Sequence, residues 1–325
     1  MKKALFAVLT ALVLMSFFGA CTKSNPTSVE QTVIVTGTPT TVVIAPTATP
    51  GTWDDSYPSA DSNGNIYFAS NNGLSGSGIY SVKTDGTGMN KIEAGSGYRG
   101  LEVSEDGQFL FVRATSGSAT KRIIMSNGNP QSTYTLTSAT DIAGFGASWV
   151  SNTAQVIYNA TSGAYTGLFI QNTISGSPVE VSLSVAKLNN SIHSNPFGKY
   201  GNGNIVYQFY NNNTLRYDVV KITDFVGGGA TLTGFDTGNS YTPAFSADGS
   251  KIIYVNDADG NKKVWTMVAD GTGKAKLFDT TANETYPRYV PGTTKIVFVS
   301  DVTGNTKLYT IDATGNTNTI KRISQ

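Results

Sequence analysis

Few residue types in this chain can do chemistry by themselves. His193 is the only histidine and Cys21 the only cysteine in 325 residues. A zinc site needs clustered His, Cys or carboxylate ligands, and a serine hydrolase needs a nucleophile, a base and a group that orients the base. One histidine close to Pro196, and no G-x-S-x-G, supply neither. "GSGYRG" (95–100) fits G-x-G-x-x-G, but it leads into "LEV", a strand pattern. A dinucleotide site needs a helix N-terminus there to hold the pyrophosphate. "NDADGN" (256–261) and "SDVTGN" (300–305) are oxygen-rich turns of the kind that can hold calcium. Asx-turn chemistry at one recurring position accounts for them without a metal. No cofactor is expected, with Ca2+ at these turns as the one alternative.

Paired carboxylates can serve a glycosidase or a lyase. Many aspartates here fall in Asp-Gly turns, where a backbone role suffices. Asp54, Asp55, Glu102, Asp141 and Glu284 lie outside such turns, as does Arg288. Asp54, Asp55, Glu284 and Arg288 precede or open segments that read as strands, and the same segments start near Tyr57, Tyr98, Tyr241 and Tyr286. A ring of tyrosines at one end of the fold can stack on a sugar or a peptide, or can pack the strand ends. The candidate ligand-binding residues are therefore Tyr57, Tyr98, Tyr241, Tyr286, Arg288 and Glu284. No catalytic residue is assigned.

The elements that position them come from a repeat. With Pro58, Pro243 and Pro287 in register, Ile79, Val264 and Leu308 lie 21 residues on, each followed by an aromatic residue (Tyr80, Trp265, Tyr309). Gly86, Gly271 and Gly315 lie 28 residues on. Unrelated segments would not keep both spacings. Proline has no N–H and so suits a strand start or edge. Asp248-Gly249 makes a tight turn, and "KIIYV" then runs apolar without alternation, as a strand covered on both faces does. "KVWTMV" and the more polar "KAKLF" complete four antiparallel strands. Such a unit buries neither face alone and needs neighbours on both sides. Fainter copies at "LEVSEDGQFLFV" (101–112), "SWVSNTAQVIYN" (148–159) and "NPFGKYGNGNIVYQF" (195–209) bring the count to six, starting near 57, 98, 146, 195, 242 and 286. "PVEVSLSVAKL" (178–188) alternates at period two and reads as strand. The expected fold is an all-β, six-bladed β-propeller of four-stranded antiparallel blades over residues 53–325. The last unit supplies its own fourth strand from "TIKRISQ", which leaves the means of ring closure open.

The N-terminus is of different material. Lys2 and Lys3 precede an apolar run from Ala4 to Phe18, too short for the ~20 residues of a membrane span. It ends in "FFGAC", which resembles a lipobox, with Phe18 where Leu, Val or Ile is usual. That resemblance implies a signal peptide over 1–20 and lipidation of Cys21. Acyl chains at ~0.8 kcal/mol per buried CH2 would hold the chain firmly on a membrane. Thr22, and not Asp, follows the cysteine, which points to the outer membrane if enterobacterial sorting applies. Residues 22–52 hold ten threonines and four prolines and read as a stalk, with a reach on the order of 100 Å if extended. "TVIV" (32–35) and "TVVIA" (41–45) are β-branched runs within it that could add a strand to the domain. The chain has 23 basic and 22 acidic residues, only 14% charged in all. It offers no basic field for nucleic acid.

"YTPAFSADGSKIIYV", "VWTMVADGTG" and "KLF" together resemble the WD-like propeller repeat of the TolB type. The likeness is close in the first, fifth and sixth units, partial in the second and faint between. It implies a propeller without TolB's additional N-terminal α/β domain. Related repeats build the propellers of prolyl-oligopeptidase-type peptidases, whose catalytic domain is not expected here. The functional expectation is a non-enzymatic, monomeric, lipid-anchored module of the bacterial cell envelope that binds another envelope protein. A carbohydrate-binding or carboxylate-based carbohydrate-active propeller is the alternative, and a spacer without a ligand is a third.

Overall fold

The computed structural model describes residues 53–324, except 72–75, 105–106, 115–120, 127–132, 136–146, 152–154, 163–164, 173–178, 182–191, 199–203, 224–229 and 233–237. The leader, Cys21, the stalk with its two β-branched runs, Asp141, and most of 178–188 lie outside the described residues.

The four-stranded blades are consecutive antiparallel meanders. The first holds β1 (Asp55–Ala60), β2 (Asn65–Ser70), β3 (Gly78–Lys83) and β4 (Asn90–Ala94); the second holds β5 (Tyr98–Val103), β6 (Phe109–Ala114), β7 (Lys121–Ser126) and β8 (Thr133–Thr135). β9 (Ala147–Ser151), β10 (Gln155–Ser162), β11 (Tyr165–Asn172) and β12 (Val179–Glu180) follow, then β13 (Ile192–Gly198), β14 (Ile205–Asn211), β15 (Arg216–Ile222) and β16 (Ala230–Leu232). These eight form one sheet. The last two blades are β17 (Ser240–Phe245), β18 (Lys251–Asn256), β19 (Lys263–Val268), β20 (Ala275–Lys276), and β21 (Glu284–Tyr289), β22 (Lys295–Ser300), β23 (Lys307–Asp312), β24 (Lys321–Arg322).

The structure thus has five blades where the repeat count predicts six. The cause is one parallel pair, Thr166 with Ile192, which joins β11 to β13. Among the described residues β12 meets β11 at Phe169 and Ile170, with the Val181 N–H on the Leu168 carbonyl, and the other end of β11 meets β13.

The second strands are buried on both faces, as their unbroken apolar runs require: Ile66 and Phe68 in β2, Ile252 to Val255 in β18, and Ile296 to Val299 in β22 are at most 2% exposed. Each such side chain contributes about 1.5–3 kcal/mol by leaving water. Ala60, Ile66, Phe68, Tyr80 and Val82 of the first blade share one core with Val290, Val297, Val299, Leu308 and Ile323 of the last, so the ring closes by face-to-face packing. β24 completes the last blade, and among the described residues no strand is exchanged across the seam.

Candidate functional site

The innermost strands β1, β5, β9, β13, β17 and β21 start at one end of the channel, here called the mouth. Five of them carry a β-bulge near the start: between Ser56 and Ser59, between Tyr98 and Gly100, between Ser194 and Phe197, between Tyr241 and Ala244, and between Thr285 and Arg288. In three of these the residue before the proline has a left-handed backbone: Tyr57 at φ 54°, Thr242 at 46° and Tyr286 at 50°. Each costs about 1–3 kcal/mol, and such strain collects where a fold re-aims side chains. Here it turns Tyr57, Thr242 and Tyr286 onto the mouth, where they line a cavity of about 30 Å3 with Glu102 and Arg288.

The residue after the proline position occupies one slot in all six inner strands. Its pairing partner is equivalent throughout: Ser59 with Tyr67, Glu102 with Leu110, Ser148 with Ile157, Phe197 with Val206, Ala244 with Ile253 and Arg288 with Val297. Several of these slots are stitched to neighbours around the channel. Ser59 Oγ accepts from the Val103 N–H at 2.9 Å. Ser148 Oγ donates to Glu102 Oε1 at 3.1 Å and accepts from the Gly198 N–H at 2.9 Å. The Arg288 guanidinium lies over the Phe197 ring at 5.1 Å, and its Nη1 donates to the carbonyls of Thr242 (3.3 Å) and Pro287 (2.9 Å). Gly198 is required at its place, because a Cβ would stand 2.1 Å from the Trp149 carbonyl oxygen.

Glu102 and Arg288 form the waist. Both line the mouth cavity and a second one of about 70 Å3 toward the turn end, which also takes in Trp149, Ser246 and Tyr289. Burial pushes Glu102 up to about 7, against the lowering effects of Arg288 and the Ser148 hydrogen bond. Burial also pushes Arg288 down, opposed by Glu102 and Tyr286.

The expected residues separate. Tyr57 and Tyr286 meet edge to face at the mouth, with ring centroids 5.0 Å apart. Tyr241 stands two residues before its proline and faces away from the channel, packing on Tyr217 and donating its hydroxyl to Asp257 at 2.9 Å. Tyr98, three residues before the proline position, is buried among Ala69, Ile79 and Leu101. The four tyrosines therefore form no single ring, because an offset of one residue along a strand changes the face presented. Glu284 is not at the mouth: it is fully buried, 3.2 Å from Lys263 Nζ, and accepts from Thr280 Oγ1. Burial pushes it up to about 7, ahead of the opposing Thr280 and Lys263 interactions. Asp55 holds the equivalent place in the first blade, pushed up to about 6 by burial, and Asp54 accepts from Thr306 and Asn305. His193 stands opposite Phe209 in the register of β13 and β14; its side chain lies outside the described residues.

Asp257 and Asp301, from the oxygen-rich turns, each accept from the backbone and side chain of an asparagine on the connection into their own blade's inner strand, Asn239 and Asn283. They pin successive blades and do not converge. Among the described residues no three His, Cys, Asp or Glu side chains gather as metal ligands. The residue that sequence reasoning left out of the site is Glu102. Leu101 takes the place of its proline, yet Ser104-x-Asp106-Gly107 aligned on Ser246-x-Asp248-Gly249 puts Glu102 in the slot of Arg288.

The fold is that of a β-propeller, and residues 201–325 match the family profile described as TolB beta propeller domain. Among solved structures the chain is similar to TolB from Acinetobacter baumannii, at 15% identity and TM-score 0.63, over 79% of this chain and 63% of that one. It therefore spans less than two thirds of that TolB. It is similar to a putative TolB from Agrobacterium tumefaciens at 16% identity and TM-score 0.50, over 85% of this chain and 81% of that one. The propeller domain of the Trilobed protease from Pyrococcus furiosus, described as having an open velcro topology, gives 14% identity and TM-score 0.51 over 84% and 85%. No curated protein matches the chain. The fold is thus that of a TolB-like propeller.

Proposed function

We propose that this protein is a lipid-anchored cell-envelope propeller that binds a partner protein at the channel mouth, working as a monomer on the outer membrane. The observation that carries the reading is the closed waist. Cavities of about 30 and 70 Å3 flank Glu102 and Arg288, against about 300–1,000 Å3 for a small-molecule pocket. Among the described residues these two cavities leave no room to engulf a substrate, and we read the strained mouth with its aromatic pair as a recognition surface. The carbohydrate alternative draws on the tyrosines and on paired carboxylates; of the tyrosines only Tyr57 and Tyr286 meet at the mouth, and Glu284 is buried against Lys263. We also read the eight-stranded blade as two repeat units fused along an edge, because β9 and β13 each supply a strand to the waist.

Affinity capture from detergent-solubilised envelope, with the full chain as bait, tests the binding. One protein retained near stoichiometry, and lost when Tyr57 and Tyr286 are both replaced by Ser, is the expected result. Nothing retained, or retention indifferent to both tyrosines, would remove the mouth from consideration. Cys21→Ser tests the anchor: the variant should move from the membrane to the soluble fraction and lose acyl labelling. Unchanged membrane association would count against lipidation at that residue.

A further inference from the structure

The mouth cavity contains a cation whose hydrogen bonding is incomplete. Arg288 has five N–H donors in a planar fork, and among the described residues only Nη1 has hydrogen-bond acceptors, both of them backbone carbonyls. Glu102 influences it through space, but no Glu102 oxygen lies within salt-bridge distance of it. The guanidinium is half-buried, so its remaining donors face the cavity without a carboxylate in contact. Beside it Thr242 is 8% exposed, and its Oγ1 has no hydrogen-bond partner among the described residues. Both groups line the same cavity as Tyr57 and Tyr286. The two tyrosines and Thr242 hold left-handed backbones, and strain at three equivalent positions of one small cavity is the pattern of a site whose geometry is fixed for a ligand.

We propose that the mouth receives a carboxylate of the partner protein, either its C-terminus or an Asp or Glu side chain, paired with Arg288 and Thr242. The inference rests on the protein-binding reading above. A guanidinium fork matches a carboxylate in two parallel hydrogen bonds, and the Thr242 hydroxyl supplies a further donor. About 30 Å3 admits that group and little more. The chain bearing it then lies outward across the rings of Tyr57 and Tyr286. Glu102, on the far side of the same cavity, opposes a second negative charge, so it sets how strongly the site binds.

The test is fluorescence anisotropy on the full chain with three tagged decapeptides of Gly, Ser and Tyr. One ends in a free carboxylate, one is amidated and neutral, and one is amidated with a single internal Asp. Binding of the first alone assigns a C-terminus, and binding of the third assigns a side chain; the neutral peptide binds neither way. Arg288→Gln should weaken the acidic peptide at least tenfold, whereas Glu102→Gln should tighten it several-fold. A merely structural role for both residues would not move binding in opposite directions. Should R288Q not fold, the E102Q arm still decides the matter. Equal binding of the neutral peptide, no binding of any peptide, or the same affinity in E102Q as in the wild type would overturn the assignment. A partner captured equally by wild-type and R288Q protein would leave the protein-binding reading standing and remove this one.

Discussion

At the waist, Glu102 and Arg288 share a channel too narrow to hydrate either fully. Burial dominates over the attraction to Arg288, and Glu102 is pushed up from 4.5 to about 7. The folded protein therefore holds this proton more tightly than the unfolded chain does. The stabilisation is complete below about 4.5 and is lost as the pH rises through about 7, since stability falls wherever the folded state binds more protons. At about 1.36 kcal/mol per unit this amounts to on the order of 3–4 kcal/mol. Asp55 and Glu284 act in the same direction, pushed up to about 6 and about 7. Urea denaturation of the wild type at pH 4.5 and 7.5 should show lower stability at the higher pH. Glu102→Gln should remove a share of that fall without abolishing it. An identical pH dependence in E102Q would mean that Glu102 is better solvated than its 8% exposure implies.

At the scale of the strands, the blade was legible because its signals are local. Proline at an inner strand's start, the Asp-Gly turn closed by a Gly249 N–H to Ser246 carbonyl bond, and an unbroken apolar second strand each follow from backbone chemistry within a few residues. The site was less legible because its geometry depends on bulges. Tyr57, Tyr98, Tyr241 and Tyr286 all stand at blade starts, but they occupy three different offsets from the proline position. Only the residue immediately before it is swung into the mouth by a left-handed backbone. Glu284 reads as a rim charge until Lys263, two strands earlier, reaches it from the neighbouring blade. The fusion of β11 with β13 turns on the one parallel pair of Thr166 with Ile192, and no residue pattern announces that. Glu102 was within reach, since its Ser-x-Asp-Gly turn fixes its slot even without a proline.

For the whole molecule the question is how the ring stays shut. The seam repeats a joint found inside the ring. Between the last two blades the Glu284 N–H donates to the Lys262 carbonyl at 2.9 Å, and Lys263 Nζ donates to the carbonyl of Ala282 and to Glu284. Between the last blade and the first, the Asp55 N–H donates to the Thr306 carbonyl at 2.9 Å, and Lys307 Nζ donates to the Trp53 carbonyl at 2.7 Å while lying 4.2 Å from the Trp53 ring centroid. Lys307 is fully buried, and its charge opposes in part the upward push that burial gives Asp55, itself 1% exposed. Lys307→Met keeps the volume of the stem but removes the cation, the bond to Trp53 and the charge opposite Asp55. Loss of a charged donor that leaves its carbonyl partner unpaired costs about 1–3 kcal/mol, and here the loss falls on the joint between the last blade and the first. K307M should therefore lose stability by roughly that amount, with hydrogen exchange rising first in β1 and β23 while β17 and β18 stay protected. The same change at Lys263 should destabilise without such localisation, because the chain itself holds that joint. Uniform exchange across all blades of K307M would show that packing of the shared apolar core, and not the lysine, keeps the ring closed.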